Sequence, residues 1–168
     1  PPNGVPVCDI QATCKHVRIA GTADGAFITW QDDRGSAGGS TRLVYAQYIL
    51  SATADWPSGP GMQWIQNGIP VAVSPGDDQV NPEIARDFIW RPDGNHVIKT
   101  GCVITYQNEV DHGGQSYWNV YATNLDPDGN HGYGGTDVAL APMASDQLYP
   151  KIVCSGAEVT ADQPRAIV

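Results

Sequence analysis

Helix-favouring residues are what this chain of 168 residues most conspicuously lacks: three Glu, three Lys and five Leu stand against 19 Gly and 13 Pro. Straight-chain side chains that lose little rotamer freedom in a helix are therefore scarce. The apolar runs are filled by Val, Ile, Thr and aromatics, which suit a pleated, half-buried surface. An all-β chain with essentially no helix is predicted. Basic residues are few as well, nine against eighteen acidic, for a net charge of −9. Nucleic acid or an anionic membrane surface needs a basic footprint, so neither is expected as a partner. The acidity itself reads as solubility. No apolar run approaches the roughly 20 residues of a membrane-spanning helix, so no membrane insertion is expected. CxxC, HExxH, GxSxG, a phosphate-binding glycine pattern and the N-x-S/T sequon are all absent.

Four cysteines are present, Cys8, Cys14, Cys102 and Cys154. An even count without metal-ligand spacing points to disulfides and an oxidising, extracellular compartment. Three connectivities exist. Cys8–Cys14 with Cys102–Cys154 is favoured, because the first pair closes a short loop. The opening Pro1-Pro2 without Met is expected to be a processed N-terminus or the start of an internal fragment.

What the chain does have is self-similarity. GAFITWQDD (Gly25–Asp33) returns 76 residues later as GCVITYQNE (Gly101–Glu109), and LVYAQ (Leu43–Gln47) returns as NVYAT (Asn119–Thr123). NGVPV (Asn3–Val7) and NGIPV (Asn67–Val71) differ only in Ile for Val. QVNPEIA from Gln79 reappears as QLYPKIV from Gln147, with a weaker copy, CKHVRIA, from Cys14. Four segment types thus recur in fixed order: Val17–Ala20, Pro82–Ala85 and Pro150–Val153; Ala26–Gln31 and Cys102–Gln107; Leu43–Ile49 and Asn119–Leu125; Val5–Val7, Ile69–Val73 and Val138–Leu140. Each is short, β-branched or aromatic, and bounded by Gly, Pro, Asn or Asp, as strands are. In AFITWQ, Phe27 and Thr29 fall on one face and Ile28 and Trp30 on the other, so both faces carry bulk, as a sheet between neighbours requires.

Four antiparallel strands repeated in tandem predict β-propeller-like blades. Two complete blades are expected, about 17–73 and 82–140. In finer division, 1–16 is the last strand of a preceding blade plus a loop, 17–76 the first blade, 77–144 the second, and 145–168 the first strands of an incomplete third. Trp30, Tyr45, Tyr106 and Tyr121 are structural repeat positions. A closed ring needs about four to eight blades, so this chain is not expected to close one by itself. Further blades elsewhere in a longer protein, or strand exchange between subunits, would complete it.

The order Gln79…Pro82…Ile84, Gly25…Trp30-x-Asp32-x-Arg34, Tyr45-Ala46-Gln47, Trp64…Asn67-Gly68…Val71 resembles secreted bacterial β-propeller-type repeat proteins over nearly the whole chain. The resemblance implies architecture, and surface or exported proteins without assigned catalysis. Tyr106, Asn108 and Val110 depart from it where Trp, Asp and Arg are wanted.

Candidate chemistry is sparse. Asp126, Asp128 and Asn130 alternate as in a calcium loop, but His131 and Asp137 stand where Gly and Glu belong, so a β-turn is favoured over a calcium site and no cofactor is expected. Trp56 and Trp64 bracket an insertion and are candidate contacts for a glycan or a neighbouring subunit. TADGAFITW is one residue too long for the Asp-box of sialidase-like propellers. Nothing in the placement of Arg18, Arg34, Arg42, Arg86, Arg91 and Arg165 singles out an arginine cluster. Asp111-His112, His16, His96 and His131 read as solvated loop residues. The leading expectation is a non-enzymatic, secreted or cell-surface structural protein that self-associates into a homo-oligomer or filament, with strand exchange between copies. The alternative is a carbohydrate-binding adhesin, and a sialidase-like glycoside-processing enzyme ranks third.

Overall fold

Extended chain forms where β-branched and aromatic residues alternate, and it breaks where Gly, Pro and Asp cluster. The computed structural model describes residues 6–22, 24–34, 41–50, 64–72, 78–89, 99–132, 135–154 and 166–167. They form β1 (Lys15–Gly21), β2 (Gly25–Asp32), β3 (Leu43–Leu50), β4 (Ile69–Pro70), β5 (Gln79–Ile89), β6 (Lys99–Asp111), β7 (Ser116–Leu125), β8 (Val138–Ala139), β9 (Val153–Cys154) and β10 (Ala166–Ile167). Among the described residues there is no helix. Two four-stranded antiparallel sheets result, β1-β2-β3-β4 and β5-β6-β7-β8, with β9 and β10 as a separate pair. No ring closes among these residues.

Strand limits differ from the sequence expectation in instructive ways. β5 and β6 extend well past the recurring segments, because Phe88↔Thr100 and Ile89↔Lys99 keep pairing. The fourth strands shrink to two residues, and in β4 one of them is Pro70, which has no N–H to donate. Pro6 and Val7 are not in a strand, and Val5 lies outside the described residues. The third copy of the first segment type pairs only from Val153.

The two sheets share a register. Trp30 opposes Tyr45 in the first and Tyr106 opposes Tyr121 in the second. In both pairs the rings stack, at centroid distances of 6.3 and 6.0 Å. At the start of β1 and β5 the pairing slips, between Lys15 and Arg18 and between Val80 and Glu83. A left-handed residue sits inside each slip, His16 (φ 52°) and Asn81 (φ 53°), and Tyr149 (φ 59°) occupies the same place before Pro150. Gly25 is required by close approach: a Cβ there would lie 1.9 Å from the Ile49 carbonyl oxygen.

One face of the first sheet supplies Phe27, Val44, Ala46 and Tyr48 to a core shared with Cys102, Ile104, Tyr106 and Leu125 of the second. Phe27 stacks on Tyr48 at 4.3 Å, and Trp64 tilts against both. Trp64 also donates its indole N–H to the Pro127 carbonyl at 2.9 Å, tying the end of the first sheet to a turn of the second. The sandwich is thus built face to face, with each strand alternating between its two neighbours.

Ile104 is fully buried in that core, whereas Ile19 on β1 is 65% exposed. Ile104→Ala is expected to destabilise by about 2–5 kcal/mol and Ile19→Ala by no more than about 0.5 kcal/mol, read by urea denaturation of each variant.

Candidate functional site

The chemistry of this molecule is concentrated where one sheet meets the next. β2 carries Gln31 next to its last residue, and β6 carries Gln107 at the corresponding place; both are nearly fully buried. The Gln31 side-chain carbonyl accepts from the backbone N–H of Asn81 at 2.9 Å. The Gln107 side-chain carbonyl accepts from the backbone N–H of Tyr149 at 3.1 Å, and also from the Asn81 side-chain amide at 2.7 Å. Asn81 and Tyr149 both have left-handed backbone, and Asn81 lies in the slip where β5 leaves its ladder. A line of hydrogen bonds therefore runs from the first sheet through the second to the segment leading into β9. Buried amides of this kind are costly if unmade, so the line fixes how the elements sit on one another.

A second set of bonds clamps the outer strands. The Gln79 backbone N–H donates to the Arg42 carbonyl at 2.7 Å, and its side chain accepts from the Val44 N–H at 3.2 Å. Gln147 does the same to Trp118 and Val120, at 2.6 and 3.3 Å. The preceding residues, Asp78 and Asp146, accept from the N–H groups of Arg42 and Trp118. Each Asp-Gln pair thus adds rungs to β3 or β7 beyond the short β4 or β8. Asp78 also binds the Arg42 guanidinium, which raises the Arg42 pKa.

Charges alternate along the first-strand positions. Arg18 on β1 makes a bidentate pair with Glu83 on β5, at 3.1 and 3.2 Å, and Lys151 reaches the same carboxylate from the far side. Burial alone would raise the Glu83 pKa, but the two cations outweigh it and hold the carboxyl below its ordinary range.

At the outer end of the first sheet, Arg34 turns back over its own strands. Its guanidinium carbon lies 3.7 Å from the centre of the Tyr45 ring and 5.9 Å from that of Trp30. It bonds Asp32 through Nε at 2.9 Å and Nη2 at 2.5 Å, and donates to the Asn67 carbonyl at 2.8 Å and to the Cys8 sulfur at 3.3 Å. Burial lowers the Arg34 pKa, and its Asp32 bonds more than offset this, so the net shift is upward. Trp30 completes the Asp32 carboxylate with an indole N–H at 2.8 Å.

Cys8 and Cys14 are free thiols with sulfurs 3.6 Å apart. Burial, then the hydrogen bond to Cys8, pushes the Cys14 thiol up to about 11. With Asp32 they form the one described cluster of metal-ligand types, yet both Asp32 oxygens are already occupied by Trp30 and Arg34. Cys102 is a buried free thiol of the core, and burial drives its pKa up. The side chain of Cys154, its expected partner, lies outside the described residues.

Other residues singled out from the sequence fall into structural places. Trp30, Tyr45, Tyr106 and Tyr121 form the stacked pairs already given. Trp64 is 8% exposed, with its ring in the core, and Trp56 lies outside the described residues. The Asp126 carboxylate accepts from the N–H groups of Asp128 and Asn130, both at 2.9 Å, closing a turn on itself. His112 contacts Asn119 and His131 contacts Thr123, so these two histidines do not converge, and His96 lies outside the described residues. Sequence reasoning passed over Gln31, Gln107, Asp78, Asp146 and the Arg18–Glu83–Lys151 line. The signal was available in the recurring WQ and YQ and in the two Asp-Gln pairs. Compared with known proteins, the chain matches no family model, no curated protein and no solved structure.

A carboxyl with a lowered folded pKa contributes stability above its unfolded pKa and loses it as pH falls through the folded value. Glu83→Gln should therefore cost up to about 1 kcal/mol at pH 7, discounted for partial exposure, with the cost vanishing below about pH 4. Urea midpoints of both proteins at pH 7 and pH 3 check this.

Proposed function

We propose that this chain is a non-enzymatic, exported structural protein of the β-propeller type, whose sheets are blades and whose work is to join further blades of the same kind. The observation that carries the reading is an uncovered face. On β1, Val17 is 58% and Ile19 65% exposed. At the 65-residue spacing of this segment they correspond to Pro82 and Ile84 of β5. Pro82 is buried, and Ile84 packs against the core shared with the first sheet. The first sheet thus covers the second at positions for which the first sheet has no cover of its own.

At the other end, Val153 is 60% exposed on the last described strand pair. Two unlike apolar ends suit head-to-tail contact, which is heterologous and gives a ring or a filament depending on whether the rotation closes. Export is consistent with an even count of four cysteines, two of which, Cys8 and Cys14, hold their sulfurs 3.6 Å apart. An adhesin reading keeps only Trp56 and the Asp126–Asp137 loop as contacts, since the Trp64 ring is interior.

Sedimentation velocity over a wide concentration range tests the proposal. Self-association is expected, weakened by Ile19→Asp at unchanged thermal stability. A 17.9 kDa monomer at every concentration would count against it.

A further inference from the structure

A cavity of about 260 Å³ lies at the outer end of the second sheet, and its walls reproduce the surroundings of Arg34 in the first. At the 76-residue offset, Tyr106 stands for Trp30, Tyr121 for Tyr45 and Asn108 for Asp32. All three line the cavity. The connecting segments agree. Ala72 takes the place of Cys8 in the NG-x-P-V copy, and Gln79 takes that of Cys14 in the segment that follows. Thr136 and Asp137 precede β8 as Asn67 and Gly68 precede β4.

One part has no counterpart. Val110 occupies the Arg34 position, and β6 runs straight through it, paired with Tyr117, instead of turning back. The guanidinium that fills the first site is missing from the second, and the space remains. The polar groups that would face it remain too. Among the described residues, the Asn108 side-chain carbonyl, an acceptor standing in the Asp32 position, is buried without a hydrogen-bond partner.

The exchange of Gly68 for Asp137 fits the same picture. A Cβ at Gly68 would come 2.5 Å from the Ala46 carbonyl oxygen and 2.7 Å from the Trp30 ring, and its φ is +78°, so backbone and indole together require glycine there. Next to the smaller Tyr106, a carboxylate is accommodated and accepts from the tyrosine hydroxyl. The cavity thus has stacked aromatic rings, a buried amide carbonyl and an anionic group on its walls. That combination suits a planar, delocalised cation better than a compact ammonium.

We propose that the second sheet carries a binding site for a guanidinium group, delivered either by a small molecule or by an arginine side chain of another polypeptide, in the place that Arg34 fills from within the first sheet. The ring faces would take the flat cation, while Asn108 and Asp137 would accept its N–H groups. This stands whether or not the chain assembles through its exposed face.

The test is calorimetric titration of the intact protein with free L-arginine and with N-acetyl-arginine amide, using citrulline, the neutral isostere, and L-lysine as controls. Saturable binding is expected for at least one arginine compound, with citrulline and lysine at least roughly tenfold weaker. Tighter binding of the free amino acid would assign the site to a small molecule, and tighter binding of the capped form to a partner's side chain. Asn108→Asp, which restores the carboxylate of the first site, should tighten binding roughly tenfold. Asn108→Leu, which removes the acceptor while keeping nearly the same side-chain shape, should abolish binding while the melting temperature shows the protein still folded. No saturable binding of either arginine compound, or citrulline binding as well as arginine, would overturn the proposal.

Discussion

Both contacts between successive elements depend on one interaction, a buried glutamine amide that reaches across to a backbone N–H in the next element. The N–H belongs to a left-handed residue that makes no ladder pair, Asn81 in the slip of β5 and Tyr149 ahead of β9. Gln31 meets Asn81 in this way, and Gln107 meets Tyr149. Backbone in that conformation is unfavourable for an ordinary residue by about 1–3 kcal/mol, and Tyr149 lacks even the tolerance that Asn has. An orphaned buried amide would cost a similar amount. Each feature is therefore tolerable only in the presence of the other. Apolar packing between Phe27, Tyr48, Ile104 and Leu125 supplies most of the attraction, but it is non-directional. The amides set the register.

The outer end of each sheet is handled differently. In the first, Arg34 folds back over the Tyr45 ring and neutralises Asp32, so the end is sealed from within. In the second, Tyr, Asn and Val replace Trp, Asp and Arg, and a cavity with unpaired polar groups takes the place of the plug. The face that holds the sheets together is alike in the two. The end that looks outward has diverged, and it is there that one scaffold can acquire a binding role without disturbing its core.

Much of this architecture was legible in the chain. Scarce helix formers and recurring β-branched segments placed the strands of both sheets, with β2 and β3 correct to within a residue or two at each end. Trp30, Tyr45, Tyr106 and Tyr121 stood out as repeated positions, and the structure adds that they stack in pairs. Less legible were features that depend on which side chains meet across sequence gaps of fifty residues or so. Nothing local marks Gln31 as a partner of Asn81, or Glu83 as the carboxylate shared by Arg18 and Lys151. Trp64 looked like an exposed loop aromatic because the insertion it closes, WPSGPGMQW, is rich in Gly, Pro and Ser. Only the fold brings Phe27, Tyr48 and Pro127 around it. The arginine-shaped cavity was half visible, as a departure from the repeat whose consequence needed the surrounding walls.

The central claim is that glutamine side chains, rather than apolar contact alone, set how successive elements lie on one another. Hydrogen exchange of individual backbone amides in the native protein tests this most directly. With Gln31 replaced by Met, of similar length but unable to accept, the Asn81 amide should exchange at least roughly tenfold faster while the Tyr149 amide, held by Gln107, keeps its protection. Equal protection of Asn81 in both proteins would contradict the account.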